Sequence, residues 1–112
     1  MRAKDIYEIY FPFQEGQGGK NRPVLVFVLT STSGKFIGLK ITRIRRDVNR
    51  VEIEHWKEAG LDEKSYVQCD YYSVFENHGK LKYKGTLRQS DYDQVVRKFN
   101  EFYPVLEWAK QE

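Results

Sequence analysis

The residues of this chain that most clearly could take part in binding chemistry are the cations between positions 35 and 50. Against a single acid, Asp47, this segment carries six basic side chains: Lys35, Lys40, Arg43, Arg45, Arg46 and Arg50. Such a segment attracts phosphate backbones, and the binding weakens with salt because each neutralised phosphate releases counterions. The net charge of the whole chain is only +3, so the clustering of charge, rather than its total, indicates a polyanionic partner. A solvated hairpin tip is the ordinary alternative.

Tyrosines form a second group of candidates, because their rings could stack on unpaired bases. The group consists of Tyr7, Tyr10, Tyr66, Tyr71 and Tyr72. For any single tyrosine, packing in the protein core is the stronger interpretation.

Other catalytic chemistries find little support. The single cysteine, Cys69, cannot close an intramolecular disulfide, and together with His55 and His78 it gives no metal-ligand spacing. A zinc module and a disulfide scaffold are therefore excluded, no Ser-His-Asp spacing is recognisable, and the glycines at 16–19 do not form a phosphate loop. Either histidine could run acid and base steps on RNA, although an ordinary surface or loop histidine is the competing interpretation. We expect neither a metal nor another cofactor.

The elements that must position these residues begin with strands. Residues 4–13 predict a first strand that ends near Pro12, and a polar loop with three glycines follows at 14–21. The run RPVLVFVLT at 22–30 is too continuously apolar for a strand with one wet face, so it predicts a central strand buried on both faces. A turn at 31–34 then leads into an alternating strand at 35–42, which predicts a hairpin.

The second half of the chain predicts shorter strands and one helix. Residues 48–53 alternate like a strand and lead into a short helical stretch at 55–60, which Gly60 should end. A strand is expected over 65–75, and 77–79 separates it from 81–83 by a hairpin or a corner. The 3.6-residue period from Ser90 onward predicts a helix with Ser90 as N-cap, Asp91 and Asp93 in its first turn, and an apolar stripe of Val95, Val96, Phe99, Phe102 and Tyr103.

These elements predict a mainly β protein with a C-terminal helix: a small β-barrel or strongly curved sheet, closed partly by that helix. With 112 residues and 40% hydrophobic composition, the chain should form a single domain over 1–112. The longest apolar run, 24–29, is too short to cross a bilayer, and the first residues lack the apolar segment of a signal peptide. We therefore expect a soluble, cytoplasmic protein with no membrane contact.

The order of several motifs resembles the PemK/MazF family of toxin endoribonucleases from type II toxin-antitoxin systems. The strand with DIY at 5–7, the glycine loop and GKNRPVLV at 19–26 match the opening of that family, and the glycine loop with Arg-Pro-Val is the most specific part. KIT at 40–42, GL at 60–61, CD at 69–70 and KGTL at 84–87 continue the order over nearly the whole chain.

This resemblance implies an SH3-like barrel that forms a homodimer, binds single-stranded RNA in a groove across the dimer and is neutralised there by an antitoxin protein. It implies cleavage by attack of the RNA 2′-hydroxyl on the scissile phosphate without a metal. By motif, Arg22 and Thr42 would hold that phosphate, and Asp70 would act near the reactive hydroxyl as base or orienter. A guanidinium and a hydroxyl suit this task because negative charge grows on the phosphate oxygens in the transition state.

The chain also departs from the family pattern around Asp70. Gln68 stands where some members carry an arginine, and Ser73 follows where a basic residue is common. A proline that is common before the catalytic threonine is absent as well. Lys40, two residues before Thr42, or Arg43, directly after it, could restore the missing charge from the neighbouring strand.

The sequence thus predicts a sequence-specific, metal-independent endoribonuclease toxin. Backbone contacts are assigned to Lys20, Lys40, Arg43, Arg45 and Arg46, and base stacking to Tyr71 or Tyr72. One alternative is a catalytically weak relative that binds RNA without cutting it. Another is a toxin that binds a protein target such as DNA gyrase, for which Trp108, beyond the helix-breaking Pro104, would be a candidate contact residue.

Overall fold

A computed structural model describes residues 1–30, 34–77 and 80–104. Seven strands and one helix follow one another in the chain: β1 Asp5–Pro12, β2 Gly19–Leu29, β3 Lys35–Thr42, β4 Arg50–Glu52, β5 Tyr66–Gln68, β6 Ser73–Glu76, β7 Lys82–Thr86 and α1 Gln89–Phe102. The mainly β fold with a C-terminal helix is confirmed. Trp108 and His78 lie outside the described residues. No helix in the described ranges combines the length and the apolar composition needed to span a bilayer.

The strands form one antiparallel sheet in the order β4-β5-β3-β2-β1-β7, with β6 paired to the first half of β3. In the described part of the chain β4 and β7 are the two ends of this strand order, so the sheet is not closed between them, which is a minor departure from the expected small barrel or curved sheet. β6 pairs with β3 whereas β7 pairs with β1, so these two strands do not pair with each other as a hairpin.

Strand β2 is central and buried on both faces, as its apolar run predicts. Because side chains alternate along a strand, Val24 and Val26 enter one core cluster with Phe36. Leu25 and Phe27 enter the other cluster, which α1 covers. The predicted hairpin between β2 and β3 is confirmed by their antiparallel register.

Helix α1 packs its buried residues Val95 and Phe99 against the Phe27 side of the sheet. Its start differs from the prediction: Arg88 occupies the N-cap position without a side-chain hydrogen bond, and Ser90 lies inside the helix. Phe102, predicted on the apolar stripe, is 38% exposed. The stripe is therefore confirmed at Val95 and Phe99 but is less buried at its C-terminal end.

The acid in the first turn of α1, Asp91, binds the backbone of a neighbouring segment. Its buried carboxylate accepts hydrogen bonds from the backbone N–H groups of Glu54 and His55, both at 3.1 Å, and the Nδ1 atom of His55 lies 3.2 Å away. The helix is thereby tied to the segment that follows β4.

The predictions for 48–53, 55–60 and 65–75 need correction. Only Arg50–Glu52 forms a strand, and the predicted helical stretch is a series of turns, which Gly60 ends with a φ of +85°. The predicted strand over 65–75 divides into β5 and β6. These strands pair with different parts of β3, so the chain must turn between them.

Cys69 provides a test of core packing. Its side chain is fully buried, and burial raises the pKa of the thiol to about 12. Since the thiolate is the reactive form, we expect no reaction with a disulfide reagent at pH 8 in the folded protein and full reaction in denaturant. Rapid labelling without denaturant, followed by absorbance of the released thiol, would contradict this packing.

Candidate functional site

A groove of about 500 Å³ opens over one face of the sheet. Its walls come from strands β1, β2, β3, β4 and β7, from residues 43–44 after β3, and from residues 61–63 and 65. Val24 on β2 lies opposite Lys40 on β3, and residues two apart on a strand share a face. Arg22, Lys40 and Thr42 therefore project from the same face of adjacent strands into the groove.

The most unusual feature of the groove is a set of three half-buried cations, Arg22, Lys40 and Arg50, which we call the cation triad. None of the three forms a salt bridge with a carboxylate in the described residues. Burial lowers the pKa of all three. Neighbouring cations lower the pKa of Lys40 and Arg50 further, whereas the Asp70 carboxylate raises the pKa of both and offsets part of this effect. Holding unpaired like charges together in a folded protein is costly, which is typical of a site that binds an anion.

The acids of the groove are already paired with other cations. Glu63 forms a 2.8 Å salt bridge with Arg43, and Lys84 lies 3.9 Å from Asp62 and 4.0 Å from Glu8. These carboxylates therefore leave the charge of the cation triad uncompensated.

Thr42 adds a hydroxyl at the end of β3. Its Oγ1 atom accepts a weak hydrogen bond from the backbone N–H of Ile44 at 3.3 Å. A hydroxyl in this position can still donate its own proton to a ligand in the groove.

Asp70, in contrast, is not among the residues that line the groove. Its carboxylate accepts hydrogen bonds from two amides, Asn49 Nδ2 at 2.9 Å and Gln68 Nε2 at 2.7 Å. Its backbone carbonyl accepts a third from the Tyr103 hydroxyl at 2.8 Å. This arrangement fixes Asp70 and suits an orienting role better than direct proton transfer.

The remaining predicted residues divide into two groups. Lys20 and Arg43 line the groove, and Tyr71 lines a smaller hollow of about 40 Å³ beside it, together with Arg22 and Lys40. The structure does not bring the others into the lining: Arg45 is exposed and bound to Asp47, Arg46 is exposed, and the ring of Tyr72 packs against Phe99 and Tyr103. The charge of Arg46 still reaches the cation triad, since it lowers the pKa of Lys40 and Arg50.

Arg50, Asn49 and Gln68 are the site residues that sequence reasoning did not assign. Arg50 belonged to the basic segment, and Gln68 was noted only as a departure. Their register, with Arg50 directly opposite Gln68, depends on the pairing of two three-residue strands, which no local pattern specifies.

One group in the described residues could hold a metal ion, formed by Glu54, His55 and Asp91. None of these residues lines the groove. The oxygens of Asp91 are already engaged by the backbone N–H groups described above, so this group has a structural role.

The charge of Lys40 is expected to lower the free energy of unfolding and to strengthen the binding of an anion. Its folded-state pKa lies below 10.5, so the unfolded chain binds more protons between the two pKa values and the free energy of unfolding rises with pH there. At pH 7, below both pKa values, Lys40 is protonated in the folded and the unfolded chain, so the full cost of burying its charge lowers the free energy of unfolding. We therefore expect Lys40→Met to raise the free energy of unfolding by about 1 kcal/mol while weakening the binding of an anion in the groove.

Urea denaturation at pH 7 measures this effect, and Lys82→Met, at an exposed lysine of β7, is the matched control. A Lys40→Met protein less stable than the parent would show that the ammonium is stabilised by contacts other than those seen.

The comparisons with known proteins agree with this fold. A family model described as "PemK-like, MazF-like toxin of type II toxin-antitoxin system" matches residues 2–103. The crystal structure of MazF (Form-I) from Deinococcus radiodurans superposes with a TM-score of 0.71 at 18% identity, covering 92% of this chain and 96% of that one. The Mycobacterium tuberculosis toxin MazF-mt6 gives a TM-score of 0.65 at 19% identity, with 88% and 96% covered. No curated protein sequence gives a significant match.

At such identities the solved structures show a shared fold alone, whereas the family model covers most of the chain. The resemblance expected from the glycine loop and Arg-Pro-Val is confirmed. The chain belongs to the PemK-like, MazF-like toxins of type II toxin-antitoxin systems.

Proposed function

We propose that this toxin is a sequence-specific endoribonuclease that cuts single-stranded RNA in the groove without a metal ion. Its family is known for endoribonucleases. The observation that carries the proposal is the cation triad of Arg22, Lys40 and Arg50 beside the Thr42 hydroxyl. This set matches the charge and hydrogen-bonding needs of a phosphate diester.

The reaction we propose is an internal transesterification. The 2′-hydroxyl oxygen forms a bond to phosphorus while the bond from phosphorus to the 5′-oxygen breaks, and the 2′-hydroxyl proton is transferred away as the 5′-oxygen gains one. The products are a 2′,3′-cyclic phosphate and a 5′-hydroxyl. Because negative charge grows on the nonbridging oxygens, Arg22 and Thr42 stabilise the transition state more than the bound substrate.

The other residues have supporting roles in this proposal. Asp70 orients Gln68 through the hydrogen bond between them. Lys20 and Arg43 contact neighbouring phosphates, and Arg45 and Arg46 attract the strand from outside the lining. Tyr71, packed edge-on against Phe11 with ring centroids 6.2 Å apart, offers a firm ring beside Arg22 on which a base can stack.

Two partners follow from membership of the family. A type II toxin is paired with an antitoxin protein, which we propose covers the same groove and excludes RNA. We also propose that the toxin acts as a homodimer in the cytoplasm.

The first experiment is incubation of the purified toxin with a long unstructured RNA in the presence of EDTA, with sequencing of the fragment ends. We expect cleavage at a short recurring sequence, with 2′,3′-cyclic phosphate ends. RNA that is bound but left intact would overturn the nuclease proposal in favour of a binding-only relative. RNA that is neither bound nor cut would favour a protein target.

A further inference from the structure

We propose that Arg50 is a second catalytic arginine, whose guanidinium binds the scissile phosphate from β4 and supplies the cation that β5 and β6 lack. The inference rests on the proposed nuclease function and adds a residue to its site. Three observations support it: the register of β4 and β5, the contacts of the guanidinium and the charges around it.

The register places Arg50 directly beside Gln68, the position at which the resemblance puts an arginine in some members of the family. Arg50 and Gln68 are direct cross-strand partners, and residues in this relation have their side chains side by side on one face. An arginine on either strand can therefore reach the same part of the groove.

The contacts of Arg50 fix its direction without neutralising it. Nη1 donates to the carbonyl of Ile44 at 2.7 Å, and Nη2 lies 3.4 Å from Oε1 of Gln68. Gln68 is in turn held by Asp70 through its amide nitrogen. The Nε atom is buried and has no hydrogen-bond partner among the residues that the structure describes. An unpaired buried donor on a cation is costly unless a ligand compensates for its charge.

The neighbouring cations are less suited to this task. Arg43 and Lys84 also line the groove, but each lies within 4.0 Å of a carboxylate. Arg46 is exposed and does not line it. Three arginines of the described residues line the groove, and of these only Arg22 and Arg50 are partly buried and free of a salt bridge. A phosphate bound between them would therefore contact two guanidinium groups.

Single-turnover cleavage of a short RNA by Arg50→Gln tests the proposal. We expect a loss of about 100-fold, the usual effect of removing one charged donor from a transition state. Arg50→Lys, which keeps the charge but not the planar fork, should lose about tenfold. Arg97→Gln, on the exposed face of α1, is the matched control and should cut at the parental rate. If folded Arg50→Gln or Arg50→Lys cuts at the rate of the control, the proposal is wrong.

A strand-to-strand exchange separates this role from a purely structural one. The double variant Arg50→Gln/Gln68→Arg places the guanidinium on β5, opposite its original position on β4. We expect its cleavage rate to be about tenfold higher than that of Arg50→Gln alone. A folded double variant without recovery would overturn the proposal. This variant also keeps both residue types in the strand pair if Arg50→Gln alone does not fold.

Binding of RNA with a 2′-deoxy group at the cut site distinguishes failure of this inference from failure of the proposed function. If the parent binds RNA but does not cut it, the nuclease proposal fails, and Arg50 is judged by binding alone. Arg50→Gln should then reduce the slope of log affinity against log salt by about one phosphate contact. An unchanged slope would remove Arg50 from the phosphate site.

Discussion

RNA incubated with the Arg22→Ala variant is expected to remain uncut under conditions in which the parent toxin degrades it completely. The expected loss is about 10³-fold or more in single-turnover rate, as for other arginines that stabilise charge on a transferring phosphate. Arg22 is half-buried at the centre of the sheet, lines both the groove and the adjoining hollow, and has no carboxylate partner in the described residues. Its full charge is thus available to the phosphate.

The same variant should fold at least as well as the parent. Burial lowers the pKa of Arg22, which means that the folded chain holds this charge at a cost and gains when the charge is removed. A thermal unfolding midpoint equal to or above that of the parent, together with lost cleavage, would place Arg22 in the site. Undiminished cleavage by Arg22→Ala would show that the phosphate is bound elsewhere.

Gly85→Ala is expected to destabilise the fold by about 3 kcal/mol or more, or to prevent folding. A Cβ atom at this position would overlap the carbonyl oxygen of Ala59 and lie 2.6 Å from the carbonyl carbon. The obstacle is backbone, and the Ala59 segment is held by a hydrogen bond from Ala59 N–H to the carbonyl of His55. Neither side can yield without breaking the turn or β7.

Gly16→Ala is the matched control, because a Cβ there meets nothing within 4 Å although φ is +77°. It should cost about 1 kcal/mol, from conformation alone. Urea denaturation of both variants measures the difference, and equal stabilities would contradict the close approach. The close approach of Gly85 to Ala59 also affects the groove. Lys84, which precedes Gly85, and Leu61, which follows Gly60, are both groove-lining residues.

Local patterns predicted the elements well where a pattern was long. The eleven-residue strand β2 contains a continuous apolar run, and the fourteen-residue helix α1 has a clear apolar period of 3.6 residues. Errors occurred in short elements: β4 and β5 have three residues each, and the segment 55–60 folds as turns. In so short a segment, tertiary contacts outweigh intrinsic preference. The Asp91 carboxylate, for example, takes the N–H groups that begin the turns at 54–55.

The candidate site was predicted in part. Arg22 and Thr42 were assigned by their motifs in the family resemblance, and Lys40 belonged to the basic segment. That the three share one face follows from the register of β2 and β3. Arg50 could not be distinguished from the other cations of its segment. Its partner Gln68 lies 18 residues away in the chain, and the sequence does not state which strand edge β4 will join.

The amino-acid sequence indicates a mainly β chain with a C-terminal helix and a basic segment at 35–50, and the order of its motifs relates it to a toxin family. These features are local, because hydrophobic period, turn residues and motif order can be read along the chain. Which cations remain unpaired depends on the three-dimensional arrangement. Within the described residues Arg43 and Arg45 form salt bridges with carboxylates, whereas Arg22, Lys40 and Arg50 lie close together without one. Charge pairing depends on distances in space, which a linear pattern does not contain.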